Sequence, residues 1–314
     1  MQCSAKISKG AGRFKLWLKA IRAPFFTATI IPVVFGSIIA WYDTSDFIWM
    51  RFWLTMAGVL LINAATNLAN DYFDHLSGCD EANSTPTPFS GGSRVIQQGL
   101  IAPRKILYAS LFCFILGSGI GLYLNYLCKG NLVLILGAIG VFLGLFYTAR
   151  PFQIGYGSLG ELAVGTGCGP LILLGSYYVQ REALPLKVFL VSVPIGILIA
   201  LVLLINEFPD YAADKSVGKR TLVVMLGKRN AVILYHSLLV TVYIAIISLV
   251  IFRFLPTASL IVLLSLPLAM KAFLISRENF DRIHELLPAN ASTIGLHSLI
   301  GALLSLSVAL DKVF

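Results

Sequence analysis

The sequence predicts an all-α, multi-pass membrane protein, and its composition and its apolar patterning carry that prediction. Of its 314 residues, 57% are hydrophobic and 12% are charged, which is about half the charged fraction of an ordinary soluble domain. The apolar residues form long continuous runs, each near the ~20 residues that a helix needs to cross ~30 Å of hydrocarbon. A closed β-barrel would instead show alternating segments of about 10 residues. The runs therefore indicate helices.

Nine such runs follow one another along the chain. They cover approximately residues 24–42, 53–69, 106–128, 131–147, 158–179, 187–206, 231–253, 258–275 and 292–310. We interpret the whole chain, 1–314, as one transmembrane domain. Two linking segments at one end of the predicted bundle, 70–103 and 207–230, contain most of the polar sequence motifs.

The basic residues predict how the helices are oriented. With nine spans, the N-terminus and the loops after the even-numbered helices share one side, which carries 17 of the 24 Lys and Arg residues against 6 on the other side. Lys and Arg are retained preferentially on the cytoplasmic side of a membrane. We therefore expect the N-terminus and both linking segments in the cytoplasm and the C-terminus outside.

The same distribution accounts for the net charge of +9. The basic residues flank the predicted spans and form no single patch, so the charge does not indicate nucleic-acid binding. Six of them form an N-terminal segment that we expect to lie against membrane lipid. They are Lys6, Lys9, Arg13, Lys15, Lys19 and Arg22.

Acidic residues are scarce, and seven of the 15 crowd into two short stretches. The first holds Asp71, Asp74, Asp80 and Glu81, and the second holds Glu207, Asp210 and Asp214. Each stretch begins where an apolar run ends. Carboxylates crowded at the end of a membrane helix repel one another and are costly to remove from water. Such clusters require a bound cation or a basic partner.

The two acidic stretches also resemble each other in sequence. NLANDYFD runs from Asn67 to Asp74, and NEFPDYAAD runs from Asn206 to Asp214. The spans that precede them are four helices apart, and an even offset gives two halves of the same orientation, with functional sites at their interface. The motifs therefore predict two pseudo-repeated four-helix units and one extra helix.

Helical spacing places the polar residues of each motif on one helix face, at i, i+4 and i+7 in the first and at i, i+4 and i+8 in the second. Oxygen-only ligands suit Mg²⁺, which uses one or two carboxylates and keeps positions for water and phosphate oxygens. The predicted metal ligands and catalytic residues are Asp71, Asp74, Asp210 and Asp214. The predicted substrate-binding amides are Asn67, Asn70 and Asn206.

Basic residues in the same segments are candidates for binding the diphosphate that such a metal site would hold. Arg94 follows two glycines in the sequence GGSR, and Lys215 directly follows the second motif. Arg offers a forked set of donors and Lys a compact charge for phosphate oxygens. For Lys219 and Arg220, a substrate role and a role in membrane topology stay equally open.

The motifs resemble those of the UbiA superfamily of intramembrane prenyltransferases, whose members carry NDxxD and DxxxD motifs after helices 2 and 6. The resemblance covers nearly the whole chain. Several stretches are most similar to the MenA branch, which prenylates 1,4-dihydroxy-2-naphthoate. They are Asn67–Asp74, Gly78–Asp80, Gly92–Val95, Gln98–Ile101, Tyr147–Phe152, Gly155–Glu161, Leu287–Asn290 and Leu296–Gly301.

Two positions depart from the superfamily pattern. Gly78 stands where many members have a third Asp, and Asp80 follows two places later. Many members also have a Tyr-x-x-x-Lys motif, whereas Tyr147 is followed by Pro151. Arg150 is a candidate substitute for that Lys.

The resemblance implies an enzyme that transfers a polyprenyl group from an allylic polyprenyl diphosphate to an aromatic acceptor, as in menaquinone biosynthesis. An aromatic face, Tyr147 or Tyr72, would stabilise the allylic carbocation in a water-poor cavity. Other acceptors stay open, namely hydroxybenzoate, homogentisate, haem and a prenylated glycerol phosphate. An ion-coupled transporter is a further alternative, but transport sites lie near the bilayer midplane, whereas both motifs lie at helix ends.

This function also predicts a shape for the site. We expect a largely apolar cavity that is capped by the segments 70–103 and 207–230, enclosed by both halves and open sideways to the membrane. The two motifs should face each other across it, with carboxylates about 6–12 Å apart around a magnesium diphosphate.

Overall fold

The computed structural model describes residues 11–313, and its regular elements are all helical, which confirms the all-α prediction. Lys6 and Lys9 of the basic segment lie outside the described residues. In chain order the helices are α1 (Ala11–Ala20), α2 (Thr27–Thr44), α3 (Trp49–Ser77), α4 (Cys79–Ala82), α5 (Pro103–Leu127), α6 (Leu132–Phe146), α7 (Gly160–Thr166), α8 (Ile172–Arg181), α9 (Leu186–Ser216), α10 (Leu222–Leu226), α11 (Lys228–Ile251), α12 (Leu266–Asn279) and α13 (Ile283–Val313).

Within the described residues, eight helical stretches are long and apolar enough to cross a membrane. The predicted fourth span corresponds to α6, which has 15 residues. With a rise of 1.5 Å per residue it extends about 22 Å, which is less than the ~30 Å of a hydrocarbon core. The predicted count of nine full-length spans is therefore not confirmed.

The two helices that carry the acidic motifs are longer than predicted. α3 has 29 residues and α9 has 31, so each extends about 45 Å and exceeds the hydrocarbon thickness by several turns. α3 ends at Ser77 and is capped by Gly78, whose left-handed backbone directs its N–H to the carbonyls of Asp74 and His75. The linking segments consequently begin at residues 78 and 217 instead of 70 and 207, and both motifs are helical.

The stretch from α7 to α8 passes close to α9. A π-helical turn at Gly167–Leu171 accommodates Pro170, which cannot donate a backbone hydrogen bond. A Cβ atom on Gly169 would lie 2.5 Å from the Cα of Gly196 on α9. The glycines therefore allow the two backbones to approach each other, as small residues do between membrane helices.

The largest apolar core surrounds α9, where Leu198, Leu201 and Ile205 are fully buried. It includes residues of α2, α8, α11 and α13. Smaller clusters join α3 to α5, for example through Ala65 and Phe114. The space between the α9 core and the α3–α5 pair is the cavity described next.

Candidate active site

One cavity of about 430 Å³ extends from the two acidic motifs into the bundle. Near the motifs its wall includes carboxylates, amides and two basic side chains. Deeper, the wall is apolar and is formed by α2, α3, α5, α6, α8 and α9, so helices of both halves enclose it. The deep wall includes Val59, Ile62, Ile120, Leu124, Val133, Leu136, Leu171 and Val179. This matches the predicted polar entrance with a largely apolar interior.

The first motif presents Asn67, Asn70 and Asp74 to this cavity. Asn67 Nδ2 donates to the carbonyl of Ile21 at 2.9 Å, which ties α3 to the segment before α2. Asp74 Oδ1 accepts a hydrogen bond of 2.8 Å from the hydroxyl of Tyr156. Two of the three residues on the predicted helix face, Asn67 and Asp74, therefore point toward one space, together with Asn70.

Asp71 of the same motif is held behind the cavity wall and is 2% exposed. Arg22 Nη2 lies 2.5 Å from Asp71 Oδ1 and also donates to Asn70 Oδ1 at 2.8 Å. The backbone N–H of Ser93 donates to Asp71 Oδ1 at 3.2 Å, and the Ser93 hydroxyl bonds to Oδ2. Arg22 itself lines the cavity, so Asp71 fixes a cation at the site's edge.

The second motif presents Asn206, Asp210 and Asp214 to the same cavity. Asn206 Oδ1 accepts from Asn290 Nδ2 at 2.8 Å, which joins α9 to α13. Asp210 Oδ1 accepts from Asn83 Nδ2 at 2.7 Å. The segment after α4 therefore closes over α9 and couples the two halves.

Lys219 joins the two motifs directly. Its Nζ lies 3.4 Å from Asp74 Oδ1 and 3.7 Å from Asp214 Oδ1. The ammonium also lies over the ring of Tyr156, 4.4 Å from its centroid. Because both carboxylates contact the same ammonium nitrogen, the distance between them is below the upper limit of ~12 Å that was predicted for carboxylates around a magnesium diphosphate.

The glycine pair of the first linking segment is required by close contacts. Gly91 and Gly92 have φ angles of 76° and 73°, which favour glycine. The Gly91 N–H donates to Asp210 Oδ2 at 3.1 Å. A Cβ atom on Gly92 would lie 2.7 Å from Asp80 Oδ2. The turn thus brings backbone donors to the second motif and leaves room for the Asp80 carboxyl.

Comparison with known proteins supports the resemblance to the UbiA superfamily that the sequence motifs indicate. A family model described as the UbiA prenyltransferase family matches residues 29–294. The chain belongs to this family. It is therefore an enzyme that transfers prenyl groups, and the resemblance inferred from the motifs is confirmed.

Two curated relatives cover nearly the full length. The chain is 30% identical over 297 residues to the 1,4-dihydroxy-2-naphthoate octaprenyltransferase of Bacillus subtilis, covering 94% of this chain and 92% of that protein. It is 27% identical over 294 residues to the 2-carboxy-1,4-naphthoquinone phytyltransferase of Synechocystis, covering 93% and 92%. A UbiA homolog from Archaeoglobus fulgidus, solved with DMAPP and Mg²⁺, has a TM-score of 0.63 at 14% identity, covering 92% of this chain and 99% of that one. This last likeness shows the fold.

The donor set of this family member fits a magnesium ion that is shared with a diphosphate. Within residues 11–313, no three Asp, Glu, His or Cys side chains already form a chelating group. Mg²⁺ typically takes one or two carboxylates per ion and completes its shell with water and phosphate oxygens. Four aspartates on the cavity wall can supply those carboxylates. They are Asp74, Asp80, Asp210 and Asp214.

Charges at the cavity mouth also favour a further cation there. Burial, and next the neighbouring Asp74 carboxylate, raise the pKa of Asp80 to about 8. Burial opposes the charge on Lys219, but Asp74 and Asp214 raise the pKa of its ammonium well above the usual value. Burial likewise opposes the charge on Arg22, yet Asp71 raises its pKa. The acidic groups outnumber these two cations, so a divalent ion would relieve their repulsion.

The structure places the predicted site residues in two groups. Seven line the cavity, namely Asn67, Asn70, Asp74, Tyr147, Asn206, Asp210 and Asp214. Five lie outside its wall, namely Asp71, Tyr72, Arg94, Arg150 and Lys215.

Each residue of the second group has a definite location. Tyr72 packs against the apolar cluster that contains Leu68. Arg94 donates to the backbone carbonyl of Asp80 and so braces the first linking segment. Arg150 and Lys215 are exposed, and Lys215 Nζ lies 5.7 Å from the ring centroid of Tyr211.

Several cavity residues were absent from the predicted set. Arg22 was assigned to the lipid-facing basic segment, although it reaches Asp71 across 49 positions of sequence. Lys219 was left open, and it occupies the place expected for Lys215. Glu207 lines the cavity beside the second motif. The sequence contains one signal for the basic residues, because an acidic cluster requires basic partners. The spacing of residues along the chain does not show which of several nearby basic residues is the partner.

Proposed function

We propose that the protein catalyses the Mg²⁺-dependent transfer of a polyprenyl group from an allylic polyprenyl diphosphate to 1,4-dihydroxy-2-naphthoate. The observation that carries this proposal is the single cavity that both acidic motifs share, with two cations at its mouth and an apolar interior. A diphosphate suits the mouth, and an isoprenoid chain suits the interior. The names of the two full-length relatives support a naphthoate acceptor.

Residues at the mouth bind and activate the diphosphate in this proposal. When bound, Mg²⁺ would neutralise the phosphate oxygens and make the diphosphate a better leaving group. The aspartates Asp74, Asp210 and Asp214 would hold the ion, with Asp80 as a fourth candidate. Lys219 and Arg22 stabilise the negative charge that develops on the leaving oxygens, since fixed charges in a site that excludes water act strongly.

Tyr147 is positioned to act on the other part of the donor. Its ring lines the cavity and is held against the backbone of Gly155, where a Cβ atom would lie 2.6 Å from the ring. An aromatic face next to an allylic cation stabilises it electrostatically. The apolar wall excludes water that would otherwise quench the cation. The acceptor ring then attacks, and substitution at the carboxylated carbon of the naphthoate releases CO₂.

The orientation of the protein forms part of this proposal. The motif end of the bundle carries most of the basic residues, so we assign it to the cytoplasmic side. The polar head groups of both substrates would then enter from the cytoplasm, while the isoprenoid tail extends into lipid.

A panel of acceptors tests the proposed function. Purified protein in lipid nanodiscs is incubated with a radiolabelled polyprenyl diphosphate and with dihydroxynaphthoate, hydroxybenzoate or homogentisate, in Mg²⁺ or in excess EDTA. We expect a labelled lipid-soluble product and CO₂ with dihydroxynaphthoate, and loss of both in EDTA. Efficient transfer to another acceptor with none to the naphthoate would overturn the acceptor, and full activity in EDTA would overturn the metal dependence.

A further inference from the structure

Two buried glutamates, one on the cavity wall and one behind it, lie apart from the cations of the diphosphate site. Glu207 follows Asn206 on α9 and lines the cavity, and Glu161 lies in the first turn of α7. Their exposed fractions are 7% and 4%. Gly165 of α7 packs against Ala200 of α9, so Glu161, about one turn before Gly165, lies beside the part of α9 that carries Glu207. Burial of two acidic groups near each other is costly, which indicates a use for them.

The two carboxyl groups have unused acceptor capacity. Among the described residues, no side chain donates a hydrogen bond to either oxygen of Glu161 or to Oε2 of Glu207. A carboxylate accepts hydrogen bonds at both oxygens, so Glu207 can accept one at Oε2 from a ligand in the cavity.

Two hydroxyl groups on the cavity wall are also without partners. Thr148 and Thr221 line the cavity and are 2% and 3% exposed. Their Oγ1 atoms have no hydrogen-bond partner in the part of the chain that the structure describes. Thr148 directly follows Tyr147, which also lines the cavity. Buried polar groups are normally satisfied, so orphaned groups on a cavity wall indicate a polar ligand.

Tyr147 places this cluster beside the reacting end of the donor. A Cβ atom on Gly160 would lie 3.5 Å from the Tyr147 hydroxyl, and Glu161 is the next residue. Glu207 lies near Glu161, because α7 packs on α9. The glutamates therefore lie on the Tyr147 side of the cavity, next to the position proposed for the allylic cation.

The chemistry of the cluster selects its ligand. A diphosphate is anionic and belongs near Lys219 and Arg22, which are paired with motif aspartates. Carboxyl groups without a cation suit a neutral O–H donor instead. Threonine hydroxyls add weaker donors and acceptors. An aromatic ring that carries hydroxyl groups provides this combination.

Resting on the proposed function, we propose that Glu207 binds a hydroxyl group of the aromatic acceptor and takes up its proton during ring attack. Glu161 is a positioning residue that packs beside Glu207 from the adjacent helix α7. Glu207 would thus be a catalytic residue of the acceptor half of the site, distinct from the aspartates of the donor half.

The proposed step balances in atoms and electrons. The bond between the allylic carbon and the diphosphate oxygen breaks, and its electron pair leaves with the diphosphate. A ring carbon supplies the pair for the new carbon–carbon bond, and the adjacent hydroxyl becomes a carbonyl as its proton passes to Glu207. When the acceptor's carboxylate leaves as CO₂, its electron pair returns to the ring, and the carbonyl oxygen recovers the proton from Glu207.

Substitutions that keep the size of the side chain test this assignment. Glu207→Gln, Glu207→Asp and Glu161→Gln are compared with Glu278→Gln, which changes an exposed glutamate on α12 in the same way. For Glu207→Gln we expect kcat/KM for the acceptor to fall about 10²-fold or more, while KM for the prenyl diphosphate changes less than about threefold. Glu207→Asp should recover part of the activity. Glu161→Gln should lower kcat more than it raises the acceptor's KM.

A direct binding measurement separates this inference from the proposed function. Binding of 1,4-dihydroxy-2-naphthoate, without prenyl donor or Mg²⁺, is followed by quenching of tryptophan fluorescence. We expect Glu207→Gln to weaken binding about tenfold and Glu278→Gln to leave it unchanged. Wild-type protein that transfers nothing to any aromatic acceptor would overturn the proposed function, and the binding result would still decide the role of Glu207.

Two outcomes would overturn the inference while leaving the proposed function intact. One is a Glu207→Gln enzyme with wild-type kcat/KM and wild-type affinity for the acceptor. The other is a defect confined to the dependence on Mg²⁺ or prenyl diphosphate, which would make Glu207 part of the donor site.

Discussion

The ammonium nitrogen of Lys219 lies 3.4 Å from Oδ1 of Asp74, although 145 positions separate the two residues in the sequence. The contact crosses the gap between the helix that carries the first motif and the segment that follows the second. It gives the proposed donor site a fixed positive charge between the carboxylates of the two acidic motifs. Electrostatic stabilisation of a leaving diphosphate depends on such a preorganised charge.

Replacing Lys219 should impair use of the prenyl donor. Lys219→Met removes the shared charge from the cavity, so we expect kcat/KM for the prenyl diphosphate to fall about 10²-fold, with a smaller effect on the acceptor's KM. Lys215→Met is the matched comparison, because Lys215 is exposed and lies outside the cavity wall. An equal or larger loss in Lys215→Met would return the donor-binding role to Lys215.

The motif aspartates on the cavity wall should be needed for metal-dependent turnover. We expect Asp74→Asn and Asp210→Asn each to lower kcat by about 10²-fold or more, since each removes a negative oxygen ligand. Asp46→Asn, in an exposed loop, controls for the substitution itself. Initial rates are measured across a Mg²⁺ titration. Near wild-type rates in both motif variants would refute the role of these aspartates.

Gly92 should tolerate a methyl group less well than Gly99. Both have positive φ angles, 73° and 65°, so alanine strains the backbone by about 1–2 kcal/mol at either position. A Cβ atom on Gly92 also meets Asp80 at 2.7 Å, whereas one on Gly99 meets nothing within 4 Å. We expect Gly92→Ala to lower both Tm and turnover more than Gly99→Ala does. Equal effects would show that the clash with Asp80 is relieved at no cost.

The ion pair between Arg22 and Asp71 should show strong coupling. Arg22→Met leaves the Asp71 charge buried without its partner, which costs about 3–5 kcal/mol of unfolding free energy. Arg22→Met combined with Asp71→Asn should be more stable than Arg22→Met alone, because the unpaired charge is removed. When Arg22→Met is instead combined with Asp46→Asn, the changes in unfolding free energy of the two substitutions should add. The stability of each variant is measured by thermal unfolding in detergent. Additive effects of Arg22→Met and Asp71→Asn would contradict the coupling.

Filling the deep cavity should shorten the donor that the enzyme accepts. Gly137 lines the cavity, and a Cβ atom there would meet nothing within 4 Å. Gly137→Leu should therefore lower kcat/KM for a long polyprenyl diphosphate and spare a short allylic diphosphate. Gly119→Leu is the control, because Gly119 is also uncrowded but lies on the exposed face of α5. An unchanged preference for chain length in Gly137→Leu would place the tail elsewhere.

Local periodicity explains why much of the site could be predicted. The i, i+4 spacing of Asn67 and Asp71, and of Asn206 and Asp210, holds on any helix, so the helical faces follow from the sequence. The family resemblance rests on the same residues. The ends of the helices were less predictable, because hydropathy identifies only the part of a helix that is apolar enough to lie in the hydrocarbon core of a membrane. It does not report where a polar helix such as the end of α3 continues into water.

The sequence by itself determined that the chain forms a bundle of apolar helices with two repeated acidic motifs, because hydrophobic run length and helical spacing are local properties. The tertiary structure decided which charges meet. It placed Lys219 between Asp74 and Asp214, turned Asp71 toward Arg22, and packed α7, which carries Glu161, on α9, which carries Glu207. These pairings depend on how closely α7 and α9 approach and on the turn at Gly91 and Gly92. Electrostatic energy falls with distance in space, which separation along the chain does not specify.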